Sequence, residues 1–557
     1  MCAESRFRFI SLFCTCLLVL SACGGGQSSS GKTLSVAVQG VVSYEDREYS
    51  YSGFTGNTQF KTVRYAVVDL VDAQGNVVDT TATDGNGHYQ LSGSGMDLYV
   101  RVLSMTTTDA GSEVEVSSYN GDVYAVSQSL SQNGDIELDI NIAYQERIAG
   151  AFNILDVYTN SSLFASGMSA SPLPGLKVHW QPGSNRYGTY FCQANYISGS
   201  CPQGKGIYLY GGSSSGGDTD EYDDDVLYHE YAHYLESVNG VQDSPGGQHY
   251  LTDNDDDLRL SWSEGLGGFF PGAVKSWLKD NNPERLSIHD GMAATYFIDT
   301  VGTTAAISID MANPSPMFCL WGVDCFVYSS SEVAVAKVLN RLRATYGMQA
   351  VWNVFRHYMP SGTLYPATLE TFWDGWLQTR SPDAQELDAL HNIFEDRLIY
   401  YLDDQYESDN DKKAARKLLP CNSINCNGEV HYLYSQNPST PDVDLVSFDA
   451  QTGKSYYVET FDLSNGADTY MRILDSMQNV VVDQNGLSMI NNDRSGTVYC
   501  YAYDSPCRVH NDNSMLSSAL TFSPPASGTY FIEMQTSPSK PVAAGRYGTY
   551  SIRVIEQ

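Results

Sequence analysis

One five-residue word constrains this 557-residue chain more than anything else in it: His229-Glu230-Tyr231-Ala232-His233. Two histidines four apart meet on one face only if the backbone is helical, and their imidazoles can then converge on one metal ion. Glu230 projects beside them, where a carboxylate can take a proton from an activated water. Val226, Leu227, Ala232, Tyr234 and Leu235 supply the apolar residues of such a helix, and Asp223–Asp225 supply its cap and first-turn charge. The pattern predicts a helix over 224–238. A catalytic zinc site takes three protein ligands and keeps a fourth position open, so a third ligand has to come from farther along the chain.

Charge and composition narrow the partners. Lys plus Arg is 32 against 65 for Asp plus Glu, a formal charge of −33. That argues against a nucleic-acid partner, whose phosphates need basic patches. Apolar residues make up 42% and aromatics 12%, with 39 Tyr, which argues against a disordered chain. The acids are mostly Asp, a residue of loops, caps and calcium sites.

The compartment is read from the N-terminus and the cysteines. Residues 1–22 carry Arg6 and Arg8, then an apolar run over 9–20, the layout of a secretory signal and too short to span a bilayer comfortably. The run ends in Leu20-Ser21-Ala22-Cys23, followed by Gly24-Gly25-Gly26. This resembles a bacterial lipobox, which implies lipid attachment at Cys23, a flexible Gly/Ser tether over 23–33, and membrane anchoring through the N-terminal lipid alone. The expected location is the bacterial cell envelope, at the outer membrane, with extracellular release as the alternative. Of twelve Cys, eight fall into four close pairs: Cys192/Cys201, Cys319/Cys325, Cys421/Cys426 and Cys500/Cys507. In an exported chain these read as four local disulfides. A thiolate zinc site fits poorly, because no two pairs share metal-site spacing with a nearby His.

Three structural regions follow, giving a multidomain expectation with an α+β centre between all-β sandwich domains. Over 34–145, strand-like runs (34–42, 62–70, 89–91, 98–103, 136–142) alternate with turns. Its Thr83-Asp84-Gly85-Asn86-Gly87-His88-Tyr89 turn resembles the carboxypeptidase-regulatory-like β-sandwich modules. Over 146–402 helical periodicity takes over, at 147–155, 224–238, 331–346, 348–358, 367–377 and 383–401, with short strands at 176–180 and 206–210. A polar linker, 403–427, holds Lys412, Lys413, Arg416, Lys417 and the Cys421/Cys426 loop. Over 428–557, the words Asp442-Val443-Asp444-Leu445, Tyr456-Tyr457-Val458-Glu459-Thr460 and Gly466-Ala467-Asp468-Thr469-Tyr470 resemble the bacterial pre-peptidase C-terminal domain. So do Pro524-Pro525-Ala526-Ser527-Gly528-Thr529-Tyr530 and Gly545-Arg546-Tyr547-Gly548-Thr549-Tyr550. That resemblance implies a β-sandwich appended to a secreted peptidase and often removed on maturation.

No third His follows the helix at metzincin spacing, since the relevant positions are Glu236 and Asn239. Instead Trp262-Ser263-Glu264-Gly265-Leu266-Gly267 resembles the W-x-E-G-x-A segment of the gluzincin metallopeptidases, the thermolysin-like superfamily. The resemblance is specific only near 205–270. It implies a zincin-like domain over 146–402, Zn²⁺ held by His229, His233 and Glu264, and Glu230 as general base. It also implies a protein or peptide substrate laid along an edge strand at 206–210. Many gluzincins carry an acid shortly after the ligand Glu to orient a histidine; here Gly267-Gly268-Phe269-Phe270 stands there, leaving Asp225 or Asp257 as the expected orienting groups.

A Ca²⁺ requirement stays open. Asp253 to Glu264 places acids at positions 1, 3, 5 and 12 of an EF-hand-like loop, although Leu258 stands where that loop needs Gly. The Asp218–Asp225 acids are either a calcium loop or a solvated cap, and the cap is the reading preferred because the helix dipole alone accounts for the last three. Oxyanion donors within reach are His249, Tyr250, His289 and Tyr328, with His289 or Tyr328 favoured because the gluzincin donor follows the third ligand. The expectation is an exported, lipid-anchored zinc metalloendopeptidase. Its rivals are a catalytically inactive surface binding or adhesion lipoprotein, which has no need to keep all four groups, and a zinc aminopeptidase or amidase.

Overall fold

The computed structural model describes residues 32–169, 172–193, 201–212, 218–254, 256–289, 295–301, 305–313, 317–318, 324–359, 366–423, 425–435, 440, 442–492, 516–536 and 546–557. The signal segment and the expected lipid-bearing Cys23 lie outside the described residues.

The chain is multidomain, built from several β-sheets and, among the described residues, seven α-helices. The strand Thr33–Ser50 alternates buried and exposed side chains, with Leu34, Val36 and Val38 turned inward, and serves as the spine of a five-stranded sheet. It pairs antiparallel with Gly53–Thr62 and His88–Met96, and parallel with Gly134–Glu137 and Ile140–Ile142. Gly40 lets this spine approach its neighbour: a Cβ there would lie 2.0 Å from the Leu138 carbonyl oxygen.

A second sheet has eight strands. Seven run in the order Tyr190–Cys192, Gly206–Tyr208, Leu176–His179, Val114–Ser117, Tyr99–Thr106, Ala66–Val71 and Val77–Ala82, and Ala125–Ser129 pairs with Tyr99–Thr106. Val114–Ser117 and Leu176–His179 are parallel neighbours, so one sheet crosses the boundary expected at 145/146. One apolar core also spans it, from Val38 and Val100 through Phe152 and Trp180 to Trp262 and Trp373. The segment 34–145 therefore shares its core with the helical region rather than closing on itself.

The helices are α1 (Ala149–Met168), α2 (Asp224–Asn239), α3 (Leu258–Asn281), α4 (Glu332–Tyr346), α5 (Met348–His357), α6 (Leu369–Arg380) and α7 (Ala384–Glu395). All six expected helices begin within two residues of the expectation, and α7 ends at Glu395 rather than at 401. Helix α1 runs well past the expected 147–155 because polar residues hide its period. Asn153, Asp156, Asn160, Ser161 and Ser162 are all buried. Tyr44 Oη reaches Asn153 and Asp156 at 3.1 and 3.2 Å, and Arg64 reaches Asp156 at 2.6 Å.

Helix α3 has no counterpart in the sequence expectation. Gly265, Gly267, Gly268, Pro271 and Gly272 all lower helix propensity. Their use is close packing: a Cβ at Gly265 would sit 2.6 Å from Val335 on α4.

Two sheets, one of which takes an edge strand from the expected linker, enclose a second apolar core that includes Leu418, Phe448, Val458, Ile532 and Ile552. One sheet runs Arg416–Lys417, Val443–Ala450, Gly528–Thr536, Thr469–Leu474, Ile490–Asn491. The other runs Glu429–Leu433, Gly548–Glu556, Tyr456–Ser464, Ala519–Phe522. This β-sandwich is stitched to the helices. Arg546 donates to Asp374 at 2.7 Å, the Arg546 and Tyr547 amides donate to Glu370 at 3.1 Å, and Tyr547 Oη donates to Asp374 at 2.7 Å.

Of the four expected local disulfides, Cys192–Cys201 and Cys421–Cys426 are formed among the described residues. The other two fall outside them. Cys500 and Cys507 both lie outside the described residues, and so does Cys319. Its expected partner Cys325 is described through its backbone alone, in the short strand Asp324–Cys325, which pairs antiparallel with Met317–Phe318. The Cys319–Cys325 and Cys500–Cys507 bonds thus stay sequence expectations. Among the described residues, no helix is long and apolar enough to cross a membrane.

Candidate metal centre and cleft

Helix α2 starts where its sequence says it should. The Asp223 side chain accepts from the Val226 amide at 3.4 Å, and Gly240, at φ +70°, closes the C-terminus. The four-residue spacing then brings His229 Nε2 to 3.1 Å from His233 Nε2. Helix α3 is capped by Asp257, which accepts from the Arg259 amide and also pairs with the Arg259 guanidinium, both at 2.9 Å. Its second turn delivers Glu264, whose Oε2 lies 3.1 Å from His229 Nε2 and 3.5 Å from His233 Nε2.

Ligands around a tetrahedral zinc ion, with bonds of about 2.0–2.1 Å, stand about 3.3 Å apart. The observed edges of 3.1, 3.1 and 3.5 Å match that triangle. Two ring nitrogens and a carboxylate oxygen brought this close repel one another unless a proton or cation lies among them. The donor set therefore fits zinc. It also excludes the EF-hand reading of Asp253 to Glu264, since residues 6 to 12 of that loop are helical in α3.

Glu230 is 7% exposed, and its Oε2 is buried without a hydrogen-bond partner. Burial raises its pKa, His233, His229 and the Phe191 amide oppose that, and Glu264 adds to it. A carboxylate so placed is a base that holds a proton readily.

The expected orienting groups are elsewhere. Asp225 is consumed by Lys275 Nζ at 2.7 Å, the Ile298 amide at 2.8 Å and Tyr49 Oη at 3.3 Å. Asp257 is the α3 cap. The partner of His233 is Glu236, one turn on, with Oε2 3.2 Å from Nδ1; Ser263 Oγ donates to the same oxygen at 2.5 Å. Its signal was present as a third acid at i+3 on the same helix face. At position 267 an acid has no room: a Cβ at Gly267 would lie 2.5–2.7 Å from three ring atoms of His229.

His229, Glu230, His233, Ser263 and Glu264 line a cleft of about 480 Å³ with Tyr190, Phe191, Cys192, Gln242 and His249. Its wall strand corrects the expected one. Gly206–Tyr208 is hydrogen-bonded on both sides, whereas Tyr190–Cys192 ends the sheet among the described residues and faces the cleft. Of the four oxyanion donors considered, only His249 lines the cleft. His289 is paired with Glu48 on the N-terminal segment, Tyr250 is 58% exposed beside Gln248, and Tyr328 is not part of the cleft wall.

A separate acidic group lies in the linker and C-terminal sandwich. Glu407, Asp409 and Asp444 bring ligand oxygens within 4.8 Å of one another. Glu407 Oε1 and Asp444 Oδ1 are buried without a hydrogen-bond partner, and Asp409 Oδ2 stands 3.9 Å from His431 Nδ1. Burial, then neighbouring carboxylates, push Glu407 up to about 8; burial also brings Asp409 to about 6, against the opposing pull of His431.

No family model and no curated protein matches the chain. Among solved structures, it is similar to the pre-peptidase C-terminal domain of collagenase from Bacillus anthracis, at 11% identity and TM-score 0.14, over 25% of this chain and 93% of that one. It is also similar to PliG of Aeromonas hydrophila, a periplasmic lysozyme inhibitor of g-type lysozyme, at 11% identity and TM-score 0.13, over 26% of this chain and 97% of that one. Neither likeness is strong enough to carry an argument about this chain.

Proposed function

We propose that this chain is an exported, lipid-anchored zinc metalloendopeptidase of the gluzincin type, with His229, His233 and Glu264 as ligands and Glu230 as general base. The observation that carries the reading is the triangle of ligand atoms at zinc spacing with the Glu230 carboxylate buried beside it in an open cleft. Bound there, zinc supplies Lewis acidity toward a peptide carbonyl and toward water.

The protein's own groups do the rest. Tyr190–Cys192 offers a strand edge along which an extended substrate can lie and exchange backbone hydrogen bonds. Glu230 accepts the proton of the attacking water and returns it to the leaving amine. Glu236 and Ser263 hold His233 in one orientation. The open Ca²⁺ question is best answered at Glu407, Asp409 and Asp444, where a hard cation would satisfy three converging carboxylates.

The test uses the chain from Thr33 onward, comparing hydrolysis of an unfolded protein by wild type and Glu230→Gln, with zinc content measured in both. The expected outcome is cleavage by wild type and at least a 100-fold loss in a variant that keeps its zinc. A variant as active as wild type, or a zinc-loaded wild type that cleaves nothing, overturns the reading.

A further inference from the structure

Resting on that reading of the metal centre, we propose that Glu332 and His249 form a positioning pair that holds Glu264, so that the third ligand is set from the far wall of the cleft. The two oxygens of Glu264 face different partners. Oε2 faces the nitrogens of His229 and His233, and Oε1 faces His249 Nε2 at 3.6 Å. The other ring nitrogen of His249, Nδ1, lies 2.8 Å from Glu332 Oε2. An imidazole with each nitrogen aimed at a different carboxylate is arranged as a bridge of N–H donors, and binding a metal through either nitrogen would break that bridge.

The pair has a rigid footing. Glu332 is the first residue of α4 and is 4% exposed. Its carboxylate thus sits at the positive end of the α4 dipole, within 2.8 Å of His249 Nδ1. The loop leading from His249 to α3 is tied to the segment ahead of α4: Ser330 Oγ donates to the Asn254 carbonyl at 2.6 Å, and the Asp256 amide donates to the Ser330 carbonyl at 3.0 Å. Glu332, His249 and Glu264 thus come from three segments that are fastened together beside the cleft.

The separation of 3.6 Å between His249 Nε2 and Glu264 Oε1 is longer than a hydrogen bond, and the ring stands against that oxygen. Its effect is to limit where a flexible glutamate can turn, keeping Oε1 away from His229 and His233. His233 already has Glu236 and Ser263 for this purpose, and Glu264 has His249. Groups that orient metal ligands change affinity by about 10–100-fold when removed.

The experiment measures zinc dissociation constants by competition with a chelator, for the chain from Thr33 onward as wild type, His249→Ala, Glu332→Gln and the double variant. Thermal unfolding is recorded in chelator, where zinc makes no contribution. Both single variants are expected to bind zinc about 10–100-fold more weakly. The double variant should be no weaker than His249→Ala, because the two residues act in series. Unfolding temperatures without metal should stay within a few degrees of wild type. Wild-type zinc affinity combined with lost turnover would overturn the proposal and leave His249 facing substrate. A fall in metal-free stability large enough to explain the weaker binding would overturn it as well. Because affinity is read without turnover, failure of the peptidase reading would show separately, in the Glu230→Gln comparison.

Discussion

Replacing Gly267 with alanine adds one carbon atom 2.5 Å from Cε1 and 2.7 Å from both Nδ1 and Nε2 of His229. All three atoms belong to one ring, so no small rotation of the imidazole clears them together. Ordinary contact begins at 3.4 Å, and the ring has to retreat by about 0.9 Å. Metal–ligand distances tolerate only about 0.2 Å. Gly267→Ala should therefore take His229 out of the centre and weaken zinc binding by at least about 100-fold, or about 2.8 kcal/mol at 1.4 kcal/mol per decade. The neighbouring glycine is the control. At Gly268 the nearest atoms to a new Cβ are those of Ala336 and Met311, both at 3.6 Å. Gly268→Ala should leave zinc affinity alone and stabilise α3 by up to about 1 kcal/mol through helix propensity. Chelator competition and thermal unfolding without metal separate the two effects. Wild-type zinc affinity in Gly267→Ala would refute the packing argument. Equal loss in both variants would mean that α3 shifts as a whole.

Other outcomes can be checked in the same way. Burial, with help from Asp218, Asp299 and Glu221, pushes the Asp220 carboxyl from 3.8 up to about 8. Between those values the unfolded chain has lost this proton and the folded chain keeps it, so the contribution of Asp220 to stability falls as pH rises. In chelator, the unfolding temperature of Asp220→Asn should gain on wild type from pH 3.8 to about 8, and a constant difference would refute the sign. Arg546→Ala leaves Glu370 and Asp374 without their cation at the sandwich–helix contact and should cost about 3–5 kcal/mol in denaturant unfolding; a loss below about 1 kcal/mol would contradict that burial. Millimolar calcium should raise the unfolding temperature of wild type but not of Asp409→Asn, and a shift of equal size in both would remove Glu407, Asp409 and Asp444 from consideration.

Helix α2 was legible because its cap, its acidic first turn and its i, i+4 histidines all lie within sixteen consecutive residues, and local spacing is what a helix reads. The Cys192–Cys201 and Cys421–Cys426 bonds were legible for the same reason: their partners are 9 and 5 residues apart. Helix α3 was hidden because its glycines are poor helix formers by themselves, and their value appears only against His229 and Val335, which belong to other helices. Glu236 was present in the helical spacing, but choosing it over Asp225 required knowing that Lys275 claims Asp225. The choice of Tyr190–Cys192 as cleft wall depended on sheet order, as did the sharing of one core across residue 146. Sequence alone thus determined helix α2, its facing histidine pair and two local cross-links, each written in a few neighbouring residues. Tertiary structure decided the orienting groups, the strand edge and the company Glu264 keeps, because those depend on contacts between residues far apart in the chain, which no local pattern records.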